Sequence, residues 1–179
     1  MGDTLITVIA IALAAVLMFV FPLMTMSDRT DDVSQLAVET ATTDFVDDVR
    51  TTGKLSMDKY SKFLQNITST GNTYDVEMQL NVLDENPGKK TTEAQKTKIG
   101  ENVYYTMYTS QILDQINPSS GTTKVLALKE GDMFTTSVKN TNSTLSQQLK
   151  NFFYSVTGND TYTIAAEHGG IVTANGSGK

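Results

Sequence analysis

Residues Thr4–Met26 read TLITVIAIALAAVLMFVFPLMTM, a run of 23 positions without a charged side chain. A helix rises about 1.5 Å per residue, so this run reaches roughly 34 Å and is long enough to cross a hydrocarbon core of about 30 Å. A secretory signal peptide is the weaker alternative, because no Lys or Arg precedes the run and its apolar core exceeds the usual ~7–15 residues. We therefore expect an apolar transmembrane helix over residues 1–27.

The helix is predicted to continue as an amphipathic segment over residues 28–53. Neither proline nor glycine interrupts the sequence between Met26 and Thr52. Gly53 is expected to end the helix, and Pro22 is expected to kink it without ending it, since membrane helices tolerate proline. One apolar stripe follows the 3.6-residue period of a helix. The stripe consists of Val38, Ala41, Phe45 and Val49.

Six aspartates of this helix are interpreted as parts of a solvated face. They are Asp28, Asp31, Asp32, Asp44, Asp47 and Asp48. The first three lack the glycine and the terminal glutamate of a calcium-binding loop, and the last three lie mostly off the apolar stripe. Neither group therefore predicts a metal site.

The remaining chain predicts an α+β head over residues 54–174 and a flexible tail over residues 175–179. Its strongest signal is Tyr74–Val82, where apolar and polar residues alternate as in a half-buried strand. The fold class is thus a long N-terminal α-helix packed on a small antiparallel-sheet head with additional short helices. The predicted short helices are Met57–Ser69, Thr109–Ile116 and one that begins at a capping box of Thr144 and Gln147.

Turn residues between apolar runs predict two hairpins. They are Val125–Leu128 with Met133–Val138, across Lys129-Glu130-Gly131-Asp132, and Thr161–Ala166 with Ile171–Ala174, across Glu167-His168-Gly169-Gly170. The segment Lys89–Lys98 is polar and is predicted to be exposed. Whether Val103-Tyr104-Tyr105 forms a strand or belongs to the following helix stays open.

Composition excludes several classes of function. The net charge of −6 and the pI near 4.7 argue against a nucleic-acid partner, because neutralising phosphates requires a basic face. The absence of cysteine rules out disulfides, zinc–thiolate sites and thiol nucleophiles. The 27 threonines, together with few basic residues, are typical of an extracytoplasmic domain that contains β-structure.

Catalysis has little support in the sequence, so we expect no enzyme, no cofactor and no metal. His168 is the only histidine, and its glycine neighbours predict a surface turn in place of a catalytic base. Three tyrosines are assigned to a half-buried core stripe, with an exposed adhesive surface as the alternative. They are Tyr104, Tyr105 and Tyr108.

The N-terminal organisation resembles that of type IV pilins: an acidic residue, an apolar helix with an internal proline, an amphipathic continuation and a β-containing head. Downstream, the pattern resembles pilin-like (TadE-like) proteins of tight-adherence pilus systems in Gram-positive bacteria. The matching residues are Phe45-x₇-Gly53-x-Leu55-Ser56, Gly71-x₂-Tyr74-x-Val76 and Gly131-Asp132-x-Phe134. Family members carry a basic leader that ends in glycine, whereas this sequence begins Met1-Gly2-Asp3, so cleavage of a leader stays open.

The resemblance implies that the apolar helix first anchors the subunit in the membrane and then packs into a filament core. Asp3 would neutralise a neighbour's terminal amine, because an unpaired buried carboxylate costs several kcal/mol. Pro22 matches the family's kink position. Small side chains at Ala10, Ala12, Ala14 and Ala15 would let helices approach closely.

Three functions follow as hypotheses. The leading one is a structural pilin-like subunit that assembles with copies of itself or other pilins, in the cell membrane before assembly and in an extracellular filament afterwards. The second is a minor, pilus-priming pseudopilin. The third is a single-pass surface protein whose head binds a ligand or an adhesion target.

Overall fold

The computed structural model of the protein describes residues 2–84, 104–117, 124–144, 147–148 and 163–176. Its architecture is α+β, with a long N-terminal helix packed on a small antiparallel sheet and additional short helices, as predicted. The helices are α1 (Gly2–Thr52), α2 (Met57–Thr68) and α3 (Thr109–Ile116). The strands are β1 (Lys54–Ser56), β2 (Tyr74–Leu83), β3 (Tyr104–Tyr108), β4 (Val125–Ala127), β5 (Met133–Asn140) and β6 (Ala165–Ile171).

Helix α1 is a single helix of 51 residues that continues through Pro22. The proline lacks an amide proton and so cannot bond the carbonyl four residues earlier, but the helix does not end there. Gly53 ends it in the left-handed conformation, with φ +63°. A Cβ at Gly53 would lie 2.5 Å from the Ala174 carbonyl oxygen, so the position requires glycine for space as well as for φ.

Strands β3-β2-β5-β6 form a four-stranded antiparallel sheet, and β1 pairs with β4 in a separate two-stranded sheet. Both predicted hairpins are wrong. Strand β4 pairs with β1 instead of β5, and the buried Asp132 carboxylate fixes the intervening turn by accepting from the amides of Lys129 and Leu83, both at 2.8 Å. The alternation in Met133–Val138 is real, but that strand lies between β2 and β6.

The second predicted hairpin is one continuous strand, β6, and His168 lies inside it instead of in a turn. Gly169 and Gly170 have no turn role there. A Cβ at Gly169 would meet the Thr135 hydroxyl, and a Cβ at Gly170 would lie 2.6 Å from the Arg50 guanidinium carbon. These glycines give room to neighbouring side chains. Residues 161–162 of that hairpin lie outside the described residues.

The core is centred on Phe45, which joins α1 to both other layers. Its ring stacks on Phe63 of α2 at 4.4 Å between centroids and meets Phe134 of β5 edge-on at 5.9 Å. Val38 and Val49 of the predicted stripe are fully buried, which confirms the stripe. Such aromatic contacts contribute about 0.5–1.5 kcal/mol each beyond the area they bury.

Several local predictions are confirmed. Strand β2 and helices α2 and α3 occupy the predicted ranges within a residue, and Ser56 caps α2 by accepting from the Lys59 amide. The Thr144–Gln147 capping box forms in both directions, at 3.1 and 3.2 Å. The helix predicted beyond residue 148 and the Lys89–Lys98 segment lie outside the described residues.

Two exposure predictions are wrong. The tyrosines of β3 are not a half-buried stripe: Tyr104, Tyr105 and Tyr108 are 40%, 48% and 61% exposed. Tyr104 and Tyr108 lie on the sheet face where Gln79 of β2 is exposed, and β3 is an edge strand. Gly176, assigned to a flexible tail, is buried and donates its amide to the Leu128 carbonyl at 2.8 Å. Residues 177–179 of that tail lie outside the described residues.

Candidate functional site in the N-terminal helix

The apolar half of α1 has almost no contact with the described part of the head. Every residue from Gly2 to Phe19 is exposed, including large side chains such as Leu5 and Ile9. Thr7 and Thr25 donate their hydroxyls to the carbonyls of Asp3 and Phe21, so these polar groups are satisfied within the helix. Among the described residues, α1 is the one helix long and apolar enough to cross a membrane.

The predicted assembly residues all lie in this exposed half. At about 100° per residue, Asp3, Ala10 and Ala14 fall within about 40° of one another and form a single stripe. Pro22 lies roughly 80–120° from these three residues. The structure therefore groups three of the four residues, and Pro22 faces another direction.

The second half of α1 runs along the edge strand β6 and closes it. Ala165 lies opposite Lys139, and along an antiparallel strand successive residues direct both their amide and their carbonyl alternately toward the partner strand and outward. The Gln35 side chain satisfies Ala165 on both counts, accepting from its amide at 3.0 Å and donating to its carbonyl at 2.7 Å. Arg50 Nε donates to the Ile171 carbonyl at 2.9 Å. Side chains of α1 thus occupy both ends of an edge that would otherwise be open.

A charged cluster holds the centre of this contact. Asp47 Oδ1 lies 2.8 Å from Arg50 Nη1 and 3.3 Å from His168 Nε2. Asp47 is therefore not simply part of a solvated face, as the sequence predicted, because it faces β6. Asp48, on the exposed side, pairs with Lys59 of α2 at 2.8 Å. These pairs are half-exposed, and exposed pairs contribute little to stability, typically about 0–1 kcal/mol.

The prediction that Asp31 belongs to a solvated face is wrong, because Asp31 is buried. It is only 6% exposed, and its Oδ2 accepts a hydrogen bond from the Thr144 hydroxyl at 2.7 Å. Thr144 reaches it from 113 residues further along the chain, which no local pattern could reveal. Asp31 lines a cleft of about 390 Å³ between the emerging helix and the head loops.

Among the described residues, no group of three or more His, Asp or Glu side chains is placed to hold a metal ion. Tyr60 is the one described group with a clear pKa shift: burial, and secondly the negative charge of Asp75, raise the pKa of its phenol above 10.0. No protein-family model, no curated protein and no solved structure matches this chain.

Proposed function

We propose that this protein is a structural, pilin-like subunit that is held in the cell membrane by the apolar half of α1 and assembles through that half into an extracellular filament. Its partners are copies of itself or related subunits. The observation that supports this most is the division of one continuous helix into an exposed apolar half and a half that is built into the head. An anchor alone does not require that rigid continuity, whereas a filament core of packed helices does.

The stripe of Asp3, Ala10 and Ala14 supports the proposal at residue level. Small side chains on one face let helix backbones approach closely in an apolar environment. A carboxylate on that face would need a cation in a dry interface, because an unpaired charge there costs several kcal/mol. A neighbouring subunit's amine is the simplest partner for Asp3.

The test is Asp3→Ala in the producing cell, with Asp32→Ala as the matched control. Asp32 is also an exposed aspartate of α1, but it lies beyond the apolar run. Membrane fractionation is expected to find both variants inserted like the parent protein. Sheared surface material, viewed by electron microscopy, is expected to lose filaments only in Asp3→Ala, and normal filaments from that variant would contradict the role given to Asp3.

The same preparation separates the two alternatives. Filaments made mainly of this chain support a bulk subunit, whereas trace incorporation into filaments of another protein would favour a minor, pilus-priming component. Absence from any filament would favour a single-pass surface protein whose head binds a ligand or an adhesion target.

A further inference from the structure

We propose that the cleft beside Asp31 binds the ammonium headgroup of a membrane phospholipid, phosphatidylethanolamine being the simplest lipid with that chemistry. The proposal rests on membrane insertion of α1 and is independent of filament assembly. Three properties of the cleft carry it: a buried carboxylate that pairs with no cation among the described residues, a lining of hydrogen-bonding groups, and a fixed depth relative to the apolar run.

The first property is the buried carboxylate of Asp31. Asp31 is 6% exposed, and across the described residues it makes one hydrogen bond, from Thr144, and no ion pair. Removing a carboxylate from water without a cation nearby is costly, and a single neutral hydroxyl offsets only part of that cost. Arg29 does not compensate it, because two residues along a helix place the side chains on different faces. The site therefore selects a cationic hydrogen-bond donor.

The lining selects a small polar headgroup. The described residues that line the cleft include hydroxyl and amide side chains such as Ser27, Thr30 and Asn72, and no lysine or arginine. Asn72 and Asn142 are already joined to each other, Asn142 Nδ2 donating to Asn72 Oδ1 at 3.1 Å, which fixes the far wall. Leu23 and Met26 complete the membrane-facing end with apolar surface. Polar at one end and apolar at the other, the cleft matches the junction of a headgroup and its acyl chains.

The position of Asp31 relative to the membrane indicates that the ammonium belongs to a lipid. Asp31 lies five residues beyond Met26, the last residue of the apolar run, which is about 7.5 Å along the helix axis. The headgroup layer on each side of the hydrocarbon core is about 5–8 Å thick. When Thr4–Met26 spans the core, the Asp31 carboxylate therefore stands at the level of the headgroups.

The experiment uses the full-length chain in nanodiscs that each hold one copy, so that a second copy cannot supply the cation. One set contains phosphatidylethanolamine with phosphatidylglycerol, and the other replaces ethanolamine by phosphatidylcholine, whose trimethylammonium has no proton to donate. Native mass spectrometry after release is expected to find phosphatidylethanolamine retained on the protein about tenfold more than phosphatidylcholine, as a charge-assisted hydrogen bond implies.

Asp31→Asn is expected to abolish this preference, and Asp32→Asn, which removes the same charge from an exposed neighbour, is expected to keep it. Ser143→Phe provides a second test that leaves the buried carboxylate intact, since Ser143 is an exposed lining residue whose enlargement fills the cleft. Loss of retention in both Asp31→Asn and Ser143→Phe, with the head still folded by circular dichroism, supports the site.

Equal retention of the two lipids by the parent protein, or unchanged preference in Asp31→Asn, would overturn the proposal. Free ethanolamine phosphate is tested as a soluble ligand on the detergent-solubilised protein. If it stabilises the protein as well as the lipid does, the ligand is a soluble amine and the assignment to a membrane lipid is wrong. Crosslinking in bilayers without ethanolamine lipids tests whether a second copy of the chain occupies the cleft. Dimers that form there and depend on Asp31 would also overturn the proposal.

Discussion

The two halves of α1 share one helix geometry and have opposite surroundings. Residues up to Phe19 are exposed on every side, whereas all the buried residues of the helix lie at or beyond Ser27. Within the second half the character changes again: the first buried positions, Ser27, Asp31 and Ser34, are polar, and from Val38 onward the core contacts become mostly apolar.

This difference indicates which contacts stabilise each half of the helix. A helix in water is held mainly by packing of one face, and the second half has that packing in the head. The first half is apolar around its whole circumference and has no protein partner within the described chain, so lipid or other helices must cover it. The two halves should therefore respond differently to the same substitution.

The largest expected difference is between two phenylalanines of α1. Phe45→Ala removes the ring at the centre of the core and is expected to lower the free energy of unfolding of the head by about 3–5 kcal/mol. Phe19→Ala, at a position 67% exposed, is expected to leave head stability unchanged. Urea unfolding of the full chain in detergent, followed by circular dichroism, measures both. Equal effects would mean that the two halves do not differ in the way the structure indicates.

A smaller difference is expected between the two arginines of the helix. Arg50→Met removes the bonds to Asp47 and to the Ile171 carbonyl, and we expect a loss of about 1–2 kcal/mol, since the side chain is partly exposed. Arg29→Met is the control, because Arg29 is exposed. Hydrogen exchange should locate the change: amides of β6 should exchange faster in Arg50→Met alone. Uniform acceleration through the whole head would argue against a local role at the sheet edge.

The smallest effect concerns Tyr60, which packs beside Phe45 with ring centroids 6.5 Å apart. Because folding raises its pKa, its contribution to stability is complete below pH 10, the unfolded value, and is lost as the pH rises through the higher folded pKa. Stability should therefore fall at alkaline pH, and Tyr60→Phe should reduce that fall.

Asp75→Asn should shift the Tyr60 pKa back only in part, since burial is the larger cause. Absorbance of the ionised phenol, compared between the parent and Tyr60→Phe, isolates this titration from those of the other six tyrosines. A Tyr60 pKa that does not move in Asp75→Asn would show that the charge of Asp75 is not felt there.

Periodic patterns predicted the elements whose signal is local. Strand β2 alternates at period two, α1 keeps an apolar stripe, and Gly53 ends that helix as expected. These features depend on residues within one or two turns of each other, so the sequence displays them directly.

Features that depend on distant residues were missed. Gly169-Gly170 has the composition of a turn, and only the positions of Thr135 and Arg50 show why glycines are needed inside a strand. In the sequence Asp31 resembles a solvated aspartate, and only the structure shows that Thr144 donates a hydrogen bond to it. Strands β1 and β4 are three residues each, too short for any period to be detected. Asp31 could have been suspected only from its position between Ser27 and Ser34 on the same helix face.

The contact of α1 with β6 has a mechanical consequence. From Gln35 to Arg50 the helix rises about 22 Å, and from Ala165 to Ile171 the strand rises about 20 Å, so the two elements run side by side in the same direction with bonded residues at both ends. A pull along the axis of α1 loads all of these contacts at once, in shear. A pull at right angles to the strand loads them one after another, as in peeling. The contact of α1 with β6 therefore resists tension along the axis of α1 more strongly than force from the side.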